Sequence, residues 1–281
     1  MTDTLVSTEW LAGQLGSPDL RIVDATIFLP NSGRNAREEY EAEHIAGAVF
    51  MDLDEIVDSS NPAPHMLPPE HIFASRMRSL GLGDGDRIVV YDNSPLHSAA
   101  RAWWMLKVFG ARDVAILDGG LPKWAIEARP VGAGKPHPRP GHFTASLNAD
   151  AVADLDYVSG IVHSGAHEIL DARPGSRFAG EEPEPRPAVQ PGHIPGSRNL
   201  PQSDLFNHDG TWKRGDDLRA AFDASGIDLD KPLVTTCGSG VTAAALLFGA
   251  HLLGKEDVKL YDGSWSEWGA NPATPKATGR A

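Results

Sequence analysis

The sequence predicts an α/β fold made of two tandem copies of one unit, each a mostly parallel β-sheet flanked by helices. Three observations support this prediction. The chain has 281 residues, enough for two domains of ordinary size. Several short motifs recur in the same order at a spacing of about 145 residues. Short apolar segments also alternate with helical stretches, a pattern typical of parallel strands joined by helices.

Each copy of the repeat begins with a short apolar strand that ends in Asp-Ala, at Asp24 and again at Asp171. A His-Ile-x-Gly segment follows, beginning at His44 and at His193. The strands are near-continuous apolar runs, which indicates that both faces of each sheet are covered.

The later part of each copy contains a second apolar strand, at residues 87–91 and 232–236, which leads through a short loop into a helical stretch. Each copy then ends with an Asp-Gly pair and a tryptophan six residues after the aspartate, at Asp118 and Asp262. The common order of these motifs indicates an internal duplication.

The stretch between the copies predicts the domain boundary. Residues 130–141 hold four prolines and three glycines, which cannot continue a helix. We therefore expect a first domain over residues 1–135, a linker over 136–150 and a second domain over 151–281.

The charge and hydropathy exclude several classes of partner. The net charge is −13, and an acidic surface repels nucleic acid and anionic membranes, so neither is expected as a partner. No apolar run approaches the ~20 residues that a membrane-spanning helix needs. The first ten residues lack the basic and apolar regions of a secretory signal, so we expect a cytoplasmic protein.

The single cysteine, Cys237, follows an apolar strand and precedes an Ala/Leu-rich helix. Open parallel sheets place ligands at this edge, beside helix N-termini with unpaired N–H groups. Gly238 and Gly240 permit positive φ, so the loop amides can form an anion-binding nest. Lowering the pKa of the thiol by about two units requires that the thiolate be stabilised over the thiol by ~2.7 kcal/mol. A helix terminus supplies only ~0.3–1 kcal/mol, so several N–H donors must supply the rest. The pattern favours a reactive nucleophile over an inert core thiol.

Other chemistries fit the sequence less well. A phosphatase of the Cys-x5-Arg type needs an arginine six residues after the cysteine, where this chain has Ala243. One cysteine and scattered histidines do not form a convincing metal site. The glycines complete neither a dinucleotide nor a P-loop fingerprint, so we expect neither metal nor organic cofactor.

The two α/β halves and the loop Cys237–Ala243 resemble the rhodanese superfamily over almost the whole chain, with further matches at residues 65–68, 101–104, 184–196 and 260–269. The resemblance implies two rhodanese-like domains, of which only the second is catalytic and carries sulfur as a persulfide on Cys237. In the first half, Asp92 stands about where Cys237 stands in the second. A carboxylate cannot hold a persulfide, so the first half is expected to contribute only pocket and interface residues.

Within that superfamily the chain is most similar to the members that use 3-mercaptopyruvate. Arg177 and Arg186 match the positions that bind the substrate carboxylate and carbonyl in those proteins. Ser239, His65 and Asp54 match a proposed proton relay. The other loop residues expected to bind substrate are Gly238, Gly240, Val241 and Thr242. Two alternatives stay open. The arginines could be ion-pair partners of Glu181, Glu182 and Glu184, and His65 could simply line a loop.

The resemblance implies release of pyruvate and transfer of the sulfur to a thiol acceptor such as thioredoxin, or to cyanide. Thiosulfate is the alternative donor. Thiosulfate-specific relatives carry basic residues directly after the cysteine, whereas this chain has the uncharged Gly238 and Ser239. A second alternative is a non-catalytic rhodanese-like docking module, which has no need of an activated thiol.

Overall fold

The computed structural model describes residues 3–162 and 164–280. They form two compact units, each of which combines segments that are distant in sequence. The first unit comprises residues 3–58, 67–148 and 208–212. The second comprises residues 59–66, 149–162, 164–207 and 213–280. The two units are therefore less continuous in sequence than predicted. Residues 59–66 interrupt the first half of the chain but pack with the second unit, and residues 208–212 interrupt the second half but pack with the first unit.

A parallel sheet flanked by helices forms the first unit. Its strands are β1 Leu5–Val6, β2 Leu20–Asp24, β3 His44–Ile45, β4 Ala48–Phe50, β5 Arg87–Tyr91, β6 Asp113–Leu117 and β7 Val131–Gly132. Its helices are α1 Thr8–Gln14, α2 Ala36–Ala42, α3 Glu70–Ser79, α4 Ala99–Val108 and α5 Gly120–Ile126. The five parallel strands have the order β1-β6-β5-β2-β4, and β3 pairs with β7 as a separate antiparallel ribbon.

The second unit repeats this architecture. Its strands are β8 Val152–Ala153, β9 Glu168–Asp171, β10 Arg198–Asn199, β11 Leu233–Thr236 and β12 Val258–Tyr261. Its helices are α6 Leu155–Ile161, α7 Gly175–Ala179, α8 Gly215–Ala224, α9 Ala243–Leu252 and α10 Ser264–Trp268, with 3-10 turns at Ala149–Ala151 and Gln202–Leu205. The strand order β10-β9-β11-β12-β8 is that of the first unit, element by element, and all neighbours are parallel. The predicted α/β fold with two parallel sheets is confirmed.

The two His-Ile-x-Gly motifs have the same local role in each unit. Nδ1 of His44 bonds to the carbonyl oxygen of Tyr40 at 2.7 Å, and its ring stacks on that tyrosine. Nδ1 of His193 bonds to the carbonyl oxygen of Phe178 at 2.9 Å, and its ring stacks on that phenylalanine. An aromatic ring covers a buried imidazole in both units, which explains why the motif recurs.

Much of the stretch expected to be a linker packs on the first unit. Phe143 is buried against Phe73, and the backbone N–H of Thr144 donates to Asp84 at 2.6 Å. Among the helices that residues 3–162 and 164–280 form, none has both the length and the apolar character needed to cross a membrane.

Candidate active site

Cys237 lies directly after β11, at the carboxyl edge of the second sheet, and is 2% exposed. Its backbone N–H donates to the hydroxyl oxygen of Ser264 at 3.2 Å, and its carbonyl oxygen accepts from the N–H of Trp265 at 2.9 Å. These bonds hold the cysteine backbone between β11 and the start of α10. The thiol is therefore placed at the sheet edge where parallel α/β folds bind ligands.

The loop after the cysteine presents unpaired amides. Gly240 has a φ of 78°, which lets the chain reverse before α9 begins. Within the described part of the chain, the N–H groups of Ser239, Val241 and Thr242 donate no hydrogen bond, and none is donated to Sγ of Cys237. These amides are thus available as donors in the loop that follows Cys237, and whether they form an anion-binding nest stays a prediction.

The equivalent loop of the first unit shows what such amides bind. Asp92 follows β5 as Cys237 follows β11, and its carboxylate accepts from the N–H of Ser94 at 3.0 Å and of Ala99 at 2.7 Å. The residue is buried beside a cavity of about 260 Å³, and desolvation raises the pKa of this carboxyl to about 6. The loop amides of the first unit are therefore bonded to a side chain of that unit, whereas the amides of Ser239, Val241 and Thr242 donate no hydrogen bond.

Ser239 and His65 meet in the second unit. The Ser239 hydroxyl lies 2.9 Å from Nδ1 of His65, and Ser239 is 8% exposed. His65 has a φ of 61°, a left-handed conformation that is uncommon for a residue with a side chain and that clusters at functional sites. Asp54, the third predicted relay residue, lies in an exposed turn of the first unit, where its N–H donates to Asp52 at 3.1 Å. Its part in a relay stays a prediction.

Arg177 lies on α7 with its guanidinium against the cysteine loop. A Cβ at Gly238 would lie 3.4 Å from its Nη2, so the absent side chain leaves room for the arginine. Nη2 donates to Glu184, while the buried Nε–H has no hydrogen-bond partner. Arg177 therefore forms an ion pair with Glu184, one of the glutamates named as alternative partners. The pair is largely shielded from solvent, since the side chains of Arg177 and Glu184 are 19% and 4% exposed.

Arg186 reaches the same loop through a serine. Its Nη1 donates to the hydroxyl of Ser266 at 3.3 Å, and that hydroxyl donates to the carbonyl oxygen of Gly238 at 2.5 Å. Both predicted substrate arginines thus connect to the segment that carries Cys237. Of the remaining predicted loop residues, Val241 is buried and Thr242 is half-buried at the start of α9.

Sequence reasoning missed Arg173, a fully buried arginine in this site. It donates to both carboxylate oxygens of Asp171, to Glu184 at 2.8 Å and to the carbonyl oxygen of Gly192 at 2.8 Å. Its guanidinium carbon lies 4.7 Å from the ring centroid of Trp265. Burial alone would lower the pKa of this arginine, but the two carboxylates raise it instead.

A signal for Arg173 was present in the repeat. The first copy reads Asp24-Ala25-Thr26 where the second reads Asp171-Ala172-Arg173. The backbone N–H of Thr26 and that of Arg173 both bond to the preceding aspartate at 2.9 Å, so the two positions are structurally equivalent. A charged residue that replaces a neutral one between otherwise matching copies points to a function specific to the second.

Ser264 is the second residue that sequence reasoning missed. Its hydroxyl accepts from Cys237 and donates to the carbonyl oxygen of Tyr261 at 2.8 Å, and its φ is 50°. The equivalent residue of the first copy is Gly120, with a φ of 55°. Gly120 is the sequence signal for Ser264. A left-handed backbone favours glycine in the first copy, and the equivalent residue of the second copy is expected to adopt the same backbone conformation.

No group of three or more His, Cys, Asp or Glu side chains among the described residues is arranged to hold a metal ion.

The model of the rhodanese-like domain matches residues 7–127 and again residues 154–271. The chain belongs to the rhodanese family. The two matched ranges agree with the two sheets, so the resemblance read from the cysteine loop is confirmed.

Full-length relatives in this family carry two activities in their names. A Homo sapiens protein named 3-mercaptopyruvate sulfurtransferase is 43% identical over 270 residues, covering 94% of this chain and 91% of that one. A Mus musculus protein named thiosulfate sulfurtransferase is 41% identical over 287 residues, covering 99% and 96%. The crystal structure of the 3-mercaptopyruvate sulfotransferase SseA from Escherichia coli shares 42% identity with a TM-score of 0.87, covering 95% of this chain and 100% of that one. This rhodanese-like chain is therefore similar to enzymes that differ in sulfur donor.

Proposed function

We propose that this chain is a sulfurtransferase that moves a sulfur atom from 3-mercaptopyruvate through a Cys237 persulfide to a thiol acceptor. The observation that supports it most is that three amides of the loop after Cys237 donate no hydrogen bond. In the first unit the amides of Ser94 and Ala99 bond to the Asp92 carboxylate, whereas the amide of Ser239, which corresponds to that of Ser94, and those of Val241 and Thr242 donate no hydrogen bond. Relatives over nearly the full chain carry the name of this activity.

The first step transfers sulfur to the enzyme. The Cys237 thiolate attacks the sulfur of 3-mercaptopyruvate, so that an S–S bond forms while the C–S bond breaks. The electron pair of the C–S bond passes to carbon as pyruvate enolate, which takes up one proton and leaves as pyruvate. The outer sulfur of the persulfide extends beyond Sγ towards the unpaired amides, which stabilise its negative charge.

The arginines and the Ser239–His65 pair have separate tasks in this step. Arg177 and Arg186 bind the carboxylate and carbonyl of the keto acid, since planar guanidinium groups suit both oxygens. The hydrogen bond of 2.9 Å between Ser239 and His65 offers a path for the proton that the enolate needs.

The second step regenerates the thiol. The thiolate of an acceptor such as thioredoxin, or of a small thiol, attacks the outer sulfur of the persulfide. The new S–S bond lies on the acceptor, and the electron pair of the old bond returns to Cys237 as thiolate. Cyanide serves as acceptor in an assay and leaves as thiocyanate.

Thiosulfate is the second candidate donor, favoured by the similarity to a relative named for it. Transfer from thiosulfate releases sulfite, which carries away the electron pair of the broken S–S bond. The ratio of kcat/KM values for the two donors decides between them, and a preference for thiosulfate would refute the assignment of the keto acid.

Mass spectrometry of the intact protein after exposure to 3-mercaptopyruvate tests the mechanism. We expect the gain of one sulfur atom at Cys237 and its loss on addition of a thiol. Cys237→Ser should gain none. Transfer that persists in this variant contradicts the mechanism. A wild-type protein that gains no sulfur from either donor contradicts it as well and leaves the docking module as the alternative.

A further inference from the structure

Glu184 joins a substrate arginine to the buried arginine behind it. One carboxylate oxygen accepts from Nη1 of Arg173 at 2.8 Å, and the other accepts from Nη2 of Arg177. The side chains of Glu184 and Arg173 are 4% and 1% exposed. Solvent therefore screens these interactions little, and the bridge fixes the position of the Arg177 guanidinium.

The charges of this cluster cancel. Asp171 and Glu184 each contribute a negative charge, and Arg173 and Arg177 each contribute a positive one. The positive charge of Arg177 is thus already compensated before a donor arrives. A donor that carries two negative charges is therefore attracted less strongly to this site than it would be to an arginine with no carboxylate partner.

We propose that Glu184 is a positioning residue that sets the charge selectivity for the sulfur donor. It holds Arg177 beside the loop in hydrogen-bonding position and cancels its net charge, which favours a monoanionic keto acid over dianionic thiosulfate. The inference rests on the proposed function, because it concerns the donor of that same reaction.

Glu184→Gln tests the inference, since it keeps the side-chain length and removes the charge. The second-order rate constant for persulfide formation on Cys237 is measured with each donor by rapid mixing and mass spectrometry. We expect the ratio of the thiosulfate constant to the 3-mercaptopyruvate constant to rise by about tenfold or more. A ratio within about twofold of wild type overturns the proposal.

Two further variants separate charge from position. Glu181→Gln removes the same charge from a neighbouring side chain that is 54% exposed, and its donor ratio should match that of wild type. Glu184→Asp keeps the charge and shortens the reach to Arg177, so both rate constants should fall while their ratio stays unchanged. A shift of the ratio in either control equal to that of Glu184→Gln contradicts the inference.

A measurement on the wild-type protein covers the case in which Glu184→Gln does not fold. Sulfate and acetate are compared as protectants of Cys237 against alkylation by iodoacetamide. We expect the dianion to protect at concentrations within about threefold of the monoanion, because Arg177 is already neutralised. Protection by sulfate at less than about a tenth of the acetate concentration overturns the proposal.

The two proposals fail in different ways. If wild-type Cys237 gains sulfur from 3-mercaptopyruvate but the Glu184→Gln ratio is unchanged, only the role of Glu184 is lost. If wild-type Cys237 gains sulfur from neither donor, the proposed function and the inference are both overturned.

Discussion

The hydroxyl oxygen of Ser239 lies 2.9 Å from Nδ1 of His65, although 174 residues separate them in the sequence. The segment of residues 59–66, which carries His65, packs with the second unit, while the chain on both sides of it belongs to the first. The cysteine loop thus acquires an ionisable partner that no neighbour in sequence provides.

Removing either member of this pair should slow persulfide formation from 3-mercaptopyruvate. We expect Ser239→Ala and His65→Asn each to lower the rate constant by about 10²-fold, the scale of general acid–base catalysis. Asparagine tolerates the left-handed backbone at position 65, so the substitution adds little strain. The double variant should be no slower than the slower single variant, because the two side chains act as one unit. Ser203→Ala, on an exposed serine, is the control, and additive losses in the double variant would contradict the relay.

Substitutions at Ser264 should separate backbone strain from hydrogen bonding. Ser264→Ala removes the bonds to Cys237 and Tyr261 but keeps a Cβ at a φ of 50°, and should lower the free energy of unfolding by about 2 kcal/mol. Ser264→Gly relieves the strain and should cost about 1 kcal/mol less than alanine. Urea denaturation measures both values. Equal costs would show that the left-handed backbone at this position is not strained.

The buried arginine should be intolerant of lysine. Arg173→Lys keeps the charge but cannot reach both Asp171 and Glu184 with a planar fork, so at least one buried carboxylate loses its partner. We expect a loss of about 3 kcal/mol in the free energy of unfolding. Arg219→Lys, at an arginine 52% exposed, should change it by less than about 0.5 kcal/mol. Similar values for the two variants would contradict the stabilising role of the buried network.

Two buried carboxyls should make stability depend on pH. Desolvation raises the pKa of Asp92 and of Asp24 from 3.8 to about 6 each. The folded state therefore binds these protons more tightly than the unfolded state, and the stabilisation is complete below about pH 4 and lost as pH rises through about 6.

Lowering the pH from about 7.5 to about 5 should thus raise the contribution of each carboxyl to the free energy of unfolding by about 1 kcal/mol. In Asp92→Asn, the free energy of unfolding should rise by about 1 kcal/mol less than in wild type over the same pH change, whatever the effect of the substitution on stability at neutral pH. Urea denaturation at both pH values, for wild type and variant, provides the comparison. Parallel pH dependences for the two proteins would show that Asp92 does not titrate in this range.

Much of the site could be predicted from local sequence because the repeat marks equivalent positions. The strand before Cys237 and the helix after it follow from apolar runs and small residues, and the resemblance predicts Arg177 and Arg186 as substrate-binding residues. The sequence predicts Glu184 only as a possible ion-pair partner of these arginines. Its second contact, to Arg173, could not be predicted, since that depends on where α7 and the following loop bring the two side chains.

The sequence by itself determined the duplicated α/β architecture and the family, and it predicts Cys237 as the nucleophile, because strand periodicity, motif order and loop composition are properties of short segments. Only the tertiary structure decided which side chains surround that cysteine. It brought His65 to Ser239, placed Ser264 under the Cys237 backbone and joined Arg173 to Arg177 through Glu184. Such contacts depend on packing between segments distant in the chain, and no local pattern encodes that packing.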